Sequence, residues 1–226
     1  MKVCVITGGG SGMGLEAARA MPNDRIFLLS GRTQSRLERA AERLKAEGKQ
    51  AYVMTCDTSD RKQVHELARY AATLGEITNV IHAAGLSPSM ADPEKLLRVN
   101  ALGTVYVNRE FAKVMKQGVI VDISSNSAYQ LPKLMIPQKT YRLAEKHEQA
   151  FLDICSSSSE NHIYPFVRMI FFGKSVTSFS NFSRLKGLRS SKTKDVIPYS
   201  STQALLSSGS LASRACCIAE EASTSS

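Results

Sequence analysis

Val3-Cys4-Val5-Ile6-Thr7-Gly8-Gly9-Gly10-Ser11-Gly12-Met13-Gly14-Leu15 joins an apolar run, a glycine turn and the start of a helical pattern. The Val/Ile-rich run reads as a buried strand. Glycines belong in such a turn because a side chain would block both the positive-φ backbone and the close approach of N–H groups to a pyrophosphate. The following helix N-terminus attracts the same anion. The stretch therefore reads as a dinucleotide-phosphate cradle, with Thr7, Gly8, Ser11, Gly12, Met13 and Gly14 as its candidate cofactor-binding residues.

Outward from that turn, apolar runs alternate with amphipathic segments as far as about Ile154, the pattern of repeated βα units and a parallel sheet covered on both faces. Strands are expected at Lys2–Ile6, Arg25–Ser30, Gln50–Thr55, Ile77–His82 and Val119–Ser124. Helices are expected near Met13–Met21, Gln34–Glu47, Arg61–Leu74, Pro93–Lys116 and Gln138–Ile154, where apolar residues recur at three- and four-residue spacing. Leu37, Ala40, Ala41 and Leu44 show this spacing, and Gly48, Gly75 and Gly118 stand where helices should stop. The fold class is α/β, a Rossmann-like doubly wound parallel sheet in three layers, expected to be incomplete at its C-terminal end.

At 226 residues, 43% hydrophobic and 22% charged, the composition is that of an ordinary globular domain. The charge of +9 is carried by Lys and Arg dispersed among acids, without the aromatic interleaving of a nucleic-acid surface, so no nucleic-acid partner is expected. No apolar run approaches the roughly 20 residues of a membrane span, and Met1-Lys2 leading straight into the first strand is not expected to be a signal peptide. The expectation is a soluble cytoplasmic protein without a membrane partner. Cys4, Cys56, Cys155, Cys216 and Cys217 form neither metal-ligand spacing nor a disulfide framework.

The pattern changes after Ile154. Serine makes up 19 of the 72 residues from Cys155 onward, against 9 of the first 154, and such a composition buries too little to offset chain entropy. Residues 1–154 are expected to form the nucleotide-binding domain, and residues 155–226 a Ser-rich, poorly packed or disordered tail. Ile163–Phe172 is the best strand candidate there and Gln203–Glu221 a poor helix.

The pattern Thr-Gly-x-x-x-Gly-x-Gly at Thr7–Gly14 resembles that of the short-chain dehydrogenase/reductase family. The resemblance extends in order through Ser30-Gly31-Arg32, Cys56-Asp57, His82-Ala83-Ala84-Gly85, Val99-Asn100-Ala101 and Ile123-Ser124-Ser125, covering about residues 1–130. It implies hydride transfer between a nicotinamide cofactor and a carbonyl or alcohol carbon of a small molecule, often in a homo-oligomer. Arg32 would accommodate the 2′-phosphate of NADP, where an acid would select NAD, so NADP is preferred over NAD. Asp57 would accept from the adenine amino group, with Thr58 beside it, unless it only caps the next helix. Ala83, Ala84 and Gly85 would let the chain pass close to the cofactor, although the family has asparagine at Ala83, where it helps lock the sheet. His82 reads as a hydrogen-bonded core residue. Asn100 would bend its helix and position a water in a proton relay, and Ser125 would bind the substrate oxygen.

The family's acid/base pair, Tyr-x-x-x-Lys on one helix face, has no good counterpart. Tyr129 with Lys133 matches the spacing but lies close to Ser125 and encloses Pro132. Tyr141 is better placed, yet Glu145 stands four residues on and Lys146 one further, about 100° round the helix. The family's Pro-Gly turn is also missing, as though the coding frame or the relationship were lost near Cys155–Glu160. Two readings stay open: an active NADP-dependent reductase, and an NADP-binding fragment without its acid/base pair.

Overall fold

The computed structural model describes residues 1–87, 89–123, 138–157 and 176–179. The first five strands are built from apolar runs, and the helices Gly12–Ala20, Gln34–Ala46, Arg61–Leu74 and Gly103–Val114 from amphipathic segments. The order is β1 (Lys2–Thr7), α1 (Gly12–Ala20), β2 (Arg25–Gly31), α2 (Gln34–Ala46), β3 (Gln50–Thr55), α3 (Arg61–Leu74) and β4 (Glu76–His82). There follow α4 (Pro93–Leu96), a π-helical stretch (Leu97–Leu102), α5 (Gly103–Val114), β5 (Gly118–Asp122), α6 (Gln138–Lys146), α7 (Glu148–Ser157) and β6 (Val176–Phe179).

The sheet order is β3-β2-β1-β4-β5-β6. The first five strands run parallel and β6 pairs antiparallel with β5, from Gly118 opposite Phe179 to Val121 opposite Val176. The order reverses between β1 and β4, which opens a crevice at the carboxyl ends of these two strands. β6 was not expected from the sequence. It covers the outer edge of β5, which would otherwise present unpaired backbone groups; Ile163–Phe172 and Gln203–Glu221 lie outside the described residues.

Alternation along the strands sorts the core into two layers. Val3, Val5, Ile26 and Leu28 face α3 and α5 with Val64, Leu67, Val107 and Phe111. Cys4, Ile6, Phe27 and Leu29 face α1 and α2 with Leu15, Ala18, Leu37 and Leu44. All of these are buried on both sides of the sheet, which is why the strands carry continuous apolar runs.

Two expected helices are interrupted. The one from Pro93 onward widens into π geometry at Leu97–Leu102, where the Thr104 hydroxyl donates to the Asn100 carbonyl over 2.7 Å. The one from Gln138 onward breaks at His147 into α6 and α7. There the Arg109 guanidinium takes the Glu145 carbonyl, and the Tyr106 hydroxyl donates to Glu148 Oε2 over 2.9 Å. Phe151, Leu152 and Ala144 nevertheless join the core against α5.

α3 and α5 are also joined by a buried carboxylate. Glu110 is 2% exposed; Lys113 Nζ lies 2.7 Å from both of its oxygens, His65 Nδ1 3.0 Å from Oε2 and Arg61 Nε 3.3 Å from Oε1. Burial alone would raise its pKa, but hydrogen bonds from Lys113, His65 and Arg61 and the Lys113 charge outweigh it and hold the carboxyl at about 2, against an ordinary 4.5. A depressed folded-state pKa contributes stability above the unfolded value, lost as pH falls from about 4.5 towards about 2. Glu110→Gln should therefore lose roughly 1–3 kcal/mol at neutral pH. In urea unfolding, the gap between the two proteins should close as pH falls through that window.

Candidate active site

The site is assembled where β1 to β4 end. The ladder continues one step past the strands: Gly9 N–H donates to the Ser30 carbonyl over 3.1 Å, Cys56 N–H to Gly31 over 2.9 Å, and Ala83 N–H to Thr7 over 3.1 Å. Four loops thus leave the sheet at one level. They enclose a cleft of about 260 Å3.

The glycine turn forms one side of it. Gly8 has φ +69°, and a Cβ there would stand 2.8 Å from the Ala84 nitrogen. A Cβ on Gly14 would stand 2.6 Å from the Gly8 carbonyl oxygen, so the turn closes only if neither residue has a side chain. Ser11 is the N-cap of α1 but makes no side-chain cap hydrogen bond, so its side chain takes none of the first N–H groups of this helix. Gly8, Gly10 and Ser11 line the cleft. Gly12, Met13 and Gly14 form the helix start behind it, Met13 being largely exposed at 65%. Thr7 is fully buried at the end of β1.

The second wall is basic. Arg32 and Thr33 follow β2, and Arg36 projects from the first turn of α2 over Gly10, where an added Cβ would meet Arg36 Cβ at 3.3 Å. Both arginines are exposed, and among the described residues neither has an ion-pair partner. Ser30 and Gly31 place no acid at this end. Arg36 was not singled out from the sequence; it is the third residue of α2, just past the loop that carries Arg32.

Asp57 and Thr58 form the third wall, with Cys56 beneath them. Asp57 Oδ1 accepts from Ser59 N–H at 2.9 Å and the Ser59 hydroxyl at 2.7 Å. The cap of α3 is Asp60, which accepts from Lys62 N–H at 2.8 Å and Gln63 N–H at 3.4 Å. The helix therefore does not need Asp57 as its cap. Cys56 is held as a thiol, burial pushing its pKa up to about 12.

Ala83, Ala84, Gly85 and Leu86 close the fourth side, with Val99 and Met90 behind them. Asn100 is 5% exposed and does not line the cleft. Its side chain clamps Leu86 instead, Nδ2 donating to the Leu86 carbonyl and Oδ1 accepting the Leu86 N–H, each at 2.8 Å. Ser125, Tyr129 and Lys133 lie outside the described residues, as does the Tyr141 side chain; Lys146 is exposed at the end of α6. Among the described residues no cluster of His, Cys, Asp or Glu can hold a metal ion, and no helix is long and apolar enough to cross a membrane.

A doubly wound sheet with a glycine cradle at its switch point defines a dinucleotide-binding Rossmann-like domain. The short chain dehydrogenase profile matches residues 2–137, and the chain belongs to the short-chain dehydrogenase/reductase family. It is 34% identical over 128 residues to a short-chain dehydrogenase/reductase of Alternaria brassicicola, covering 56% of this chain and 46% of that protein. An uncharacterised oxidoreductase of Staphylococcus saprophyticus is 33% identical over 146 residues, covering 58% of this chain and 62% of that one. The chain thus spans about half to three fifths of the length of these relatives. Among solved structures, a 3-ketoacyl-ACP reductase from Sinorhizobium meliloti superposes with a TM-score of 0.52 at 26% identity, covering 70% of this chain and 66% of that one. An actinorhodin polyketide ketoreductase bound to NADPH shares the fold at a TM-score of 0.53 and 19% identity, covering 72% and 64%. A 7α-hydroxysteroid dehydrogenase bound to NADH does so at 0.53 and 23%, covering 65% and 62%.

Gly14→Ala should destabilise the protein by about 1–3 kcal/mol through overpacking against the Gly8 carbonyl. Gly12→Ala, where φ is +56° but a Cβ would meet nothing within 4 Å, should cost only about 1–2 kcal/mol from backbone strain. Urea unfolding of the two variants measures the difference, and only the first should also move the turn.

Proposed function

We propose that this chain is an NADP(H)-dependent oxidoreductase that moves a hydride between nicotinamide and a carbonyl or alcohol carbon of a small molecule. The observation that carries the reading is the pair of Arg32, just past β2, and Arg36, at the start of α2, both lining the cleft, with no acid partner among the described residues and no acid at Ser30 or Gly31. Two guanidinium groups suit a dianionic 2′-phosphate, whereas NAD-type selection uses a carboxylate at this place.

The remaining residues fit the same ligand. Gly8, Ser11 and the N-terminus of α1, from Gly12 to Gly14, would hold the pyrophosphate. Asp57, relieved of capping, would accept from the adenine amino group, with Thr58 beside it. Ala83, Ala84 and Gly85 are small enough for the cofactor to pass close to the backbone. When bound, the nicotinamide supplies the hydride, and this chain's residues orient it. Ser125, three residues past β5, would bind the substrate oxygen. Asn100 would act through its main chain, because both ends of its side-chain amide are committed to Leu86.

A second reading is kept because no Tyr-x-x-x-Lys pair follows Ser125 in satisfactory form: an NADP-binding protein with no proton donor. Titration with NADPH and NADH, followed by nicotinamide fluorescence, tests the cofactor class. We expect tighter binding of NADPH. The double substitution Arg32→Asp and Arg36→Ala should weaken it at least about tenfold while leaving NADH within about threefold. A panel of ketones and quinones then separates the readings: NADPH oxidation supports the enzyme, binding without turnover the inactive form, and no binding sinks both.

A further inference from the structure

We propose that His82, as a neutral imidazole with its proton on Nε2, is the positioning residue that holds the Ala84–Leu86 wall of the cleft. This deepens the cofactor reading and rests on it for its consequence, but not for its geometry. Thr7 and His82 are register partners across β1 and β4, and both side chains are fully buried. The Thr7 hydroxyl lies 2.6 Å from His82 Nδ1, and the Thr104 hydroxyl lies 3.2 Å from His82 Nε2.

Proton counting decides the tautomer. The Thr104 hydroxyl has one hydrogen and donates it to the Asn100 carbonyl at 2.7 Å. Towards the ring it acts as an acceptor, so Nε2 carries the proton. In the neutral ring Nδ1 then accepts from the Thr7 hydroxyl. With its hydrogen so committed, the Thr7 oxygen accepts the Ala84 N–H at 3.3 Å. The opposite tautomer would leave the Thr7 hydrogen without an acceptor in this network and ask the single Thr104 hydrogen to serve both Nε2 and Asn100.

The result is one directional chain: Ala84 N–H to Thr7, Thr7 to His82, His82 to Thr104, Thr104 to the Asn100 carbonyl. Asn100 closes the far end by gripping both backbone groups of Leu86. Residues 84 and 86 of the cleft wall are thus held by the two ends of the same network. Ala83, where the family has a sheet-locking asparagine, has only a methyl group, and a polar tie between β1 and α5 passes through His82. Removing the ring takes the acceptor from the Thr7 hydrogen and a donor from Thr104, which keeps its own bond to the Asn100 carbonyl.

The test uses the full chain with 15N-labelled histidine. Long-range 15N–1H correlation at neutral pH, the signal identified by its loss in His82→Asn, should show a neutral ring protonated on Nε2; a proton on Nδ1 would overturn the proposal. Amide hydrogen exchange supplies the second readout. His82→Leu should speed exchange at Ala84 and Leu86 at least tenfold relative to Val5, whereas acceleration spread equally over all three, or none, counts against the relay. His82→Asn, whose amide oxygen stands where Nδ1 does, should rescue Ala84 but not Leu86. NADPH affinity should fall about tenfold in His82→Leu and recover in His82→Asn. If the wild-type chain binds no NADPH, the cofactor reading fails, while tautomer and exchange still decide for or against the relay.

Discussion

The contact between Gly14 and the Gly8 carbonyl is the constraint on which the site depends. A Cβ at Gly14 would stand 2.6 Å from that oxygen, so β1 turns into α1 with no room for side chains. This close approach seats the helix N-terminus at the point where strand order reverses. A wider turn would lift the N–H groups away from the crevice and separate α1 from the apolar layer of Ile6, Leu29 and Leu37. The turn and the core therefore specify each other.

A second constraint is polar. The carboxyl ends of β1 and β4 are too deeply buried for water to satisfy their side chains, so each polar group there needs a protein partner. The network through Thr7, His82, Thr104 and Asn100 meets that need and crosses from the sheet to the π-helical stretch. The helix widens at this same place, where the Thr104 hydroxyl donates to the Asn100 carbonyl. The basic wall is the opposite case: Arg32 and Arg36 are exposed at the cleft.

Much of this was legible from residue order. Five strands and the first three helices stand within a residue or two of where periodicity and glycine stops put them, since buried parallel strands are apolar throughout and surface helices repeat at 3.6 residues. Gly8, Ser11, Arg32, Asp57, Thr58, Ala83, Ala84 and Gly85 do come together around one cleft. The interruption at His147 was not legible, because no proline or glycine marks it, whereas a bend at Asn100 was expected from the family resemblance alone. The break at His147 coincides with partners distant in sequence, Tyr106 and Arg109, and the commitment of the Asn100 side chain to Leu86 is likewise a non-local contact. β6 was invisible for a related reason: four residues paired antiparallel to an edge have no periodicity to read.

By itself, the sequence determined the class of fold and the cradle at its head, since glycine spacing and apolar alternation are local properties that the backbone reads within a few residues. Only the tertiary structure decided which residues share a duty. It brought Arg36 over Gly10, assigned the helix cap to Asp60 rather than Asp57, and committed the Asn100 amide to Leu86. It also put His82 between Thr7 and Thr104. Hydrogen-bond partnership depends on which groups burial brings within about 3 Å of one another, and chain order alone does not contain that distance.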